Sequence, residues 1–243
     1  MNNLFEPIKM EPAYRRVAAS IENKIMARDL NDGDSLPAET DLARQFQVNR
    51  STVREALREL QSKGLVARRE GGKRLFISHP QAADVASGVS RALALHGVTF
   101  LEVWEAMMVI EPQAAALAAR KRETAQLEEL IELNTRFEAV GSNHDQAVAT
   151  VVQFFRALAR CSQNRVLVMA QAPLTRLLSP TLARMIDQVP QARARIVAAQ
   201  RHLIEAIRAR NADEARNWME KHIRDFKRGY ELAGIELDYR VAI

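Results

Sequence analysis

One cysteine, Cys161, is all that the 243 residues contain. An intramolecular disulfide framework and a cysteine-based zinc finger are therefore excluded, and a reducing compartment fits. Aromatic residues make up only 5%, while Ala, Leu and Val dominate a hydrophobic fraction of 47%. That balance favours a helical core over a β-sandwich. Nine glycines and eight prolines are too few for an all-β chain with many turns. No stretch reaches the ~18 apolar residues of a membrane span, and the N-terminus has no apolar run of signal-peptide type. The expectation is a soluble, cytoplasmic protein with no membrane partner. Enzyme signatures are missing too: no glycine-rich phosphate loop, no Ser-His-Asp order, no zinc motif, and no paired carboxylates beyond ordinary helix surface.

Basic charge is present, and it is concentrated. The chain carries a formal net charge of +5, which permits a nucleic-acid partner without requiring one. Between Arg44 and Arg74 nine basic residues face three acidic ones, a local net of +6. The same region has a distinctive pattern. Val17, Ile21 and Ile25 recur every four residues and predict an amphipathic helix from Tyr14 to about Arg28. Asn31-Asp32-Gly33-Asp34 reads as a turn, and Pro37-Ala38-Glu39 opens a second helix that points Leu42 and Phe46 inward. After the turn Gln47-Val48-Asn49, a third helix runs from Arg50 to Lys63, with Asn49 as N-cap. Val53, Ala56, Leu57 and Leu60 form its buried face, Glu59 and Glu55 are spaced to pair with Lys63 or Arg58, and Gly64 ends it. Leu65–Arg69 and Arg74–Ser78 predict a hairpin around Glu70-Gly71-Gly72-Lys73. This is a winged helix-turn-helix. Such modules read base edges from the start of the second helix, where arginine grips guanine with two prongs, asparagine pairs with adenine and hydroxyls serve phosphates.

These residues closely resemble the opening domain of the GntR family of bacterial transcription regulators. The pattern comprises Leu36-Pro37-Ala38-Glu39, Val48-Asn49-Arg50-Ser51-Thr52-Val53-Arg54-Glu55-Ala56-Leu57, Gly64-Leu65-Val66 and a glycine-containing wing, over residues 12–78. The resemblance implies DNA contacts from Thr40, Asn49, Arg50, Ser51, Thr52 and Arg54, and from Gly71, Gly72 and Lys73 at the wing tip. It also implies a homodimer on a pseudo-palindromic operator of double-stranded DNA. Asn49 departs from the family's usual Ser or Thr.

The fold class is accordingly mainly α: a winged helix-turn-helix over residues 1–78, a linker over 79–83 and an all-helical domain over 84–243. Residues 1–10 carry no clear pattern. Helical periodicity is expected near 81–96, 99–120, 123–140, 143–161, 164–179, 190–209 and 211–232, with breaks at Gly97, Gly141-Ser142-Asn143, Pro173, Pro180 and Pro190.

The second half resembles the effector domain of FadR-type members, the FCD domain, from about Phe100 to Ile223. Ile110-Glu111-Pro112 with Leu117-Ala118-Ala119-Arg120, Phe154 with Leu158-Ala159 and Ser162-Gln163-Asn164, Ile204-Glu205-Ala206-Ile207 and Met219-Glu220-Lys221-His222-Ile223 carry the likeness. Many members hold a divalent metal there through an Asp, a His one turn later and two further His. At the matching positions this chain has Val151, Phe155, Gln200 and His222. His202 is two residues out of register, about 200° around its helix. Met107 stands where metal-containing relatives commonly have an Arg. The expectation is no metal and no cofactor. Instead, an apolar effector cavity is bounded by Met107, Val151 and Phe155, with Glu111, Asn164, Gln200 and His222 as polar points. Such a cavity suits acyl-CoA, an aromatic acid or another bulky organic acid better than a small dicarboxylate. The expected function is a metabolite-responsive repressor of a catabolic operon. The alternative is a constitutive DNA-binding protein whose helical half only dimerises, with the polar residues serving as satisfied members of its core.

Overall fold

The computed structural model describes residues 11–69, 71–72, 74–141 and 143–242. Expectations for residues 1–10, Glu70, Lys73 and Ser142 lie outside the described residues. Contacts divide the chain into two units, residues 1–81 and 82–243.

The first unit contains α1 (Ala13–Met26), α2 (Glu39–Phe46), α3 (Arg50–Ser62), β1 (Val66–Arg68) and β2 (Leu75–Ile77). The four-residue spacing of Val17, Ile21 and Ile25 lays one face of α1 on α3, whose Val53, Ala56, Leu57 and Leu60 are buried with it. Lys63 bridges Glu22 and Glu59 at the edge of this contact, at 2.9 and 3.0 Å. Between α2 and α3 the chain reverses at Gln47, which holds left-handed φ 53°. The strands pair antiparallel, Val66 with Ile77 and Arg68 with Leu75. Gly33 and Asp34 of the predicted turn already bond to Ile77 of β2, at 3.0 and 2.8 Å. Ser35 pairs with Phe76, and the N–H of Leu36 donates to the Leu75 carbonyl at 2.9 Å, so the segment before α2 extends the sheet.

Gly64 closes α3. Its N–H donates to the Gln61 carbonyl while that of Leu65 reaches the Leu60 carbonyl, the Schellman pattern. This arrangement requires φ +71°, which strains any side chain, while an added Cβ would only touch Pro80 at 3.4 Å. Gly64→Ala is expected to lower stability by about 1–2 kcal/mol, read from the urea midpoint of this unit's unfolding; an unchanged midpoint would mean that the left-handed turn carries no strain.

The second unit is a bundle of α4 (Ala82–Leu95), α5 (Phe100–Lys121), α6 (Thr124–Ala139), α7 (His144–Cys161), α8 (Arg165–Gln188), α9 (Ala192–Arg208) and α10 (Ala212–Leu232). Helix α5 packs most extensively on α10, α7 lies against α6 and α8, and α9 joins α6 and α10. The breaks expected at Pro173 and Pro180 do not occur. Helix α8 runs through both, because its flanks are buried against α4 and α7 and packing outweighs the ~3 kcal/mol that an interior proline costs. Ser90 donates to the Pro173 carbonyl, and Thr181 and Tyr230 both donate to that of Leu178, so carbonyls along α8 find side-chain donors.

A device that the periodicity did not signal closes the other end of the bundle. The first turn of α5 has a capping box, Thr99 with Glu102. Its N–H groups at Phe100 and Leu101 donate to the carbonyls of Tyr239 and Leu237, at 2.9 and 3.0 Å, and Val241 donates back to Val98. All the free amides of that helix end are thereby occupied. Among the described residues no helix is long and apolar enough to cross a membrane.

Candidate nucleic-acid interface and helical core chamber

Helix α3 presents its first turn to solvent. Asn49 sits at the N-cap position, but its side chain makes no capping bond, which corrects the capping role expected of it. Thr40, Asn49, Arg50, Ser51 and Arg54 are exposed and Thr52 is half-buried. Two of these side chains are tied down. Glu39, the first residue of α2, accepts hydrogen bonds on one oxygen from Arg50 at 3.1 Å and Arg54 at 3.2 Å. Partial burial would raise the Glu39 carboxyl, but the two guanidinium bonds outweigh it and hold the pKa below the usual carboxylate value. Arg50 and Arg54 stay more than half exposed, so each retains free donors while its direction is set. The opening Leu-Pro-Ala-Glu was legible as a helix start; the tether from its glutamate to the next helix was not. A cleft of about 730 Å³ lies beside them, lined by Arg50, Arg68 and Arg74 together with the chain from Ser35 to Asp41. At the wing, Gly71 and Gly72 are exposed and Gly71 has φ +71°. Arg69 lies over the Phe76 ring at 4.1 Å.

The helical unit brings together much of the other residue set. Met107 on α5 and Val151 and Phe155 on α7 line one void, with Leu178 and Leu182 of α8 and Phe226 and Tyr230 of α10. Its free space is about 20 Å³, room for roughly one water. Glu111, Gln200 and His222 do not line it, although the core of the same unit buries them. Glu111, Gln171 and Gln200 are wholly buried and His222 nearly so. Both oxygens of Glu111, both amide atoms of Gln171 and Gln200, and Nε2 of His222 lack a hydrogen-bond partner. Phe155 stacks on His222 at 5.7 Å, and His222 lies 4.7 Å from Phe226. Asn164 departs from expectation: it does not line the void, since its side-chain oxygen caps α8 by accepting from Val166 and Leu167. Gln171, which had no family or spacing signal to mark it, takes a place beside Glu111.

These residues do not fit a bound metal ion. Val151 and Phe155 offer no donor atom, an amide at Gln200 is a poor ligand, and among the described residues no three of His, Cys, Asp and Glu converge.

Residues 13–74 match the family model "Bacterial regulatory proteins, gntR family", and residues 102–225 match that of the FCD domain. The chain belongs to the GntR family. It is 29% identical to the HTH-type transcriptional repressor NanR of Cronobacter sakazakii, over 89% of this chain and 85% of that one. It is also 29% identical to the Uxu operon regulator of Haemophilus influenzae, over 92% and 84%. The solved structure of Streptococcus agalactiae GntR superposes with a TM-score of 0.63 at 25% identity, covering 88% of this chain and 99% of that one. As a GntR regulator with an FCD domain, the protein is a transcription factor that binds DNA and a small-molecule effector, not an enzyme.

The buried polar groups make stability depend on pH. Burial pushes the Glu111 carboxyl up to about 8; neighbouring Gln171 relieves little of this, since neither oxygen reaches hydrogen-bond geometry. Burial pushes His222 down to about 4. Between its unfolded value and about 8, Glu111 holds more proton folded than unfolded, so stability falls as pH rises. His222 acts oppositely between about 4 and its unfolded value of 6.5, where stability rises with pH. Of these two, only Glu111 still contributes above pH 6.5. The urea midpoint of the helical unit is expected to drop from pH 6.5 to 8 and to stay level there in Glu111→Gln. An equal drop in that variant would assign the loss to other groups.

Proposed function

We propose that this regulator is a cytoplasmic, homodimeric repressor of a catabolic operon, released from a pseudo-palindromic operator by a bulky organic effector that binds without metal. The observation that carries the sensing half is the set of partnerless polar atoms buried in the helical core, on Glu111 and neighbouring Gln171, on Gln200, and on His222, which stacks on the void-lining Phe155. Unpaired groups cost free energy in an empty core, and a ligand's own polar atoms would supply what the protein lacks. Met107 in place of an arginine, and Val151 and Phe155 in place of metal donors, favour an effector with a substantial apolar body, such as acyl-CoA or an aromatic acid. An effector there shifts DNA affinity only through its differential affinity for two arrangements of the protein.

On the DNA side, Arg50 and Arg54 read bases, and Thr40, Asn49, Ser51 and Thr52 serve the backbone and neighbouring positions. Gly71, Gly72 and Lys73 form the wing-tip contact. The tether to Glu39 supports this assignment, because an arginine already aimed loses less entropy on binding. Arg50→Ala and Arg54→Ala should each weaken specific operator binding by about 1–3 kcal/mol. Lys73→Ala should instead weaken all sequences alike and flatten the salt slope by about one unit. Gel-shift titrations check this, and parent-like operator affinity in Arg50→Ala would displace the reading helix. Sedimentation of the operator complex should give two chains per site.

For the sensor, Val151→Phe should fill the void and impair release by effector, while effector-free operator binding stays intact. Elemental analysis should find no stoichiometric Zn²⁺, Ni²⁺ or Mn²⁺. The small size of the void, about 20 Å³, favours a second reading, a constitutive binder with a solid helical half. Normal release in Val151→Phe would move the effector away from this void, whereas an operator complex that no metabolite dissolves would count for the second reading.

A further inference from the structure

A second void lies beside the first, between the end of α8, the start of α9 and α10. It is lined by Met185, Ile196, His222, Phe226 and, at its rim, Arg195 and Asp225. Its free space is about 10 Å³. Phe226 lines both voids and is their shared wall. Among the residues that line the two, Arg195 is the one cationic side chain and Asp225 the one anionic; they form an ion pair with each other. Both are about one-third exposed or less, so this pair sits where the interior meets solvent. Neither void alone holds a ligand. They merge if Phe226 and the flexible Met185 side chain move aside. Gly229 permits that side chain its place, since a Cβ there would lie 3.0 Å from the Met185 sulfur.

The polarity of this path is fixed at its ends. Inward, one turn beyond Met107, α5 carries Glu111, a buried carboxyl that stays protonated below about pH 8 and offers no positive charge to receive a carboxylate. Outward, Arg195 stands in the first turns of α9, where the helix dipole favours an anion. Its guanidinium fork can grip a carboxylate with two prongs while part of it still faces Asp225. We infer that Arg195 recognises the carboxylate of the effector at the mouth of this path, that the ion pair with Asp225 closes the mouth when no effector is bound, and that the effector's apolar body passes Phe226 into the void around Met107, Val151 and Phe155. The ligand class is an amphipathic monocarboxylate. This rests on the proposed effector chamber and adds its entrance, the direction in which the ligand lies and the residue that selects its charge.

Isothermal titration of the full chain with straight-chain monocarboxylates of four to twelve carbons, the matching alcohols and the matching amines tests the assignment. The carboxylates should bind best, and Arg195→Gln should weaken them by about tenfold or more while leaving the alcohols unchanged. Arg195→Lys should restore part of the loss. Arg195→Gln with Asp225→Asn removes both charges and leaves no orphan carboxylate; it should show the same lost preference, with a circular dichroism melt reporting that it is folded. Carboxylates and alcohols of equal affinity overturn the role of Arg195, as do amines binding best or carboxylate binding untouched by Arg195→Gln. If Val151→Phe still blocks those ligands, the chamber stands without its proposed entrance. If none of the three series binds, or Val151→Phe has no effect on any, the chamber and the entrance fall together.

Discussion

Polar atoms taken out of water must find partners, and that constraint organises the helical unit. Where partners exist, the unit supplies them thoroughly: Thr99 and Glu102 cap one helix, Asn164 caps another, and hydroxyls follow the carbonyls of α8 through two prolines. Against that background Glu111, Gln171 and Gln200 are bare at every polar side-chain atom and His222 at Nε2, while single atoms of Asn134, His144, Arg193 and Arg216 also lack partners. A carboxyl in that setting gives up its charge rather than its burial. The core therefore stays packed around polar groups that are neutral rather than charged.

The DNA-binding unit obeys the same constraint from the opposite side. Its arginines are exposed, so water already satisfies them, and what they lack is a fixed direction. Glu39 gives them one by accepting from both on a single oxygen. Surface ion pairs contribute little to stability. This one matters for orientation, because it joins the first residue of α2 to the first and second turns of α3 and so couples the two helices of the motif at the end that faces out.

Much of this was legible in the chain. Period-four apolar spacing located α1 and α3, and the motif around Asn49–Leu57 marked the helix-turn-helix. That Val151 and Phe155 carry no donor atom was equally plain from residue type. What stayed hidden depends on contacts between distant residues. Pro173 and Pro180 read as breaks because local propensity says so, and only burial against α4 and α7 overrules it. Asn164 looked like a site residue until its cap bonds were seen. The strand-like pairing of Ser35, the tether from Glu39 and the company that Gln171 keeps with Glu111 have no spacing signature at all.

The strap from Leu237 to Val241 across the start of α5 sets an order of assembly. Helix α5 carries Met107 and Glu111 and forms the largest helix contact in its unit with α10, yet its first amides wait for a segment made after every other helix. Contacts of such sequence separation slow folding. During synthesis the emerging bundle therefore keeps an unfinished edge at Phe100, and a nascent chain halted before Tyr239 would present that edge to chaperones and proteases.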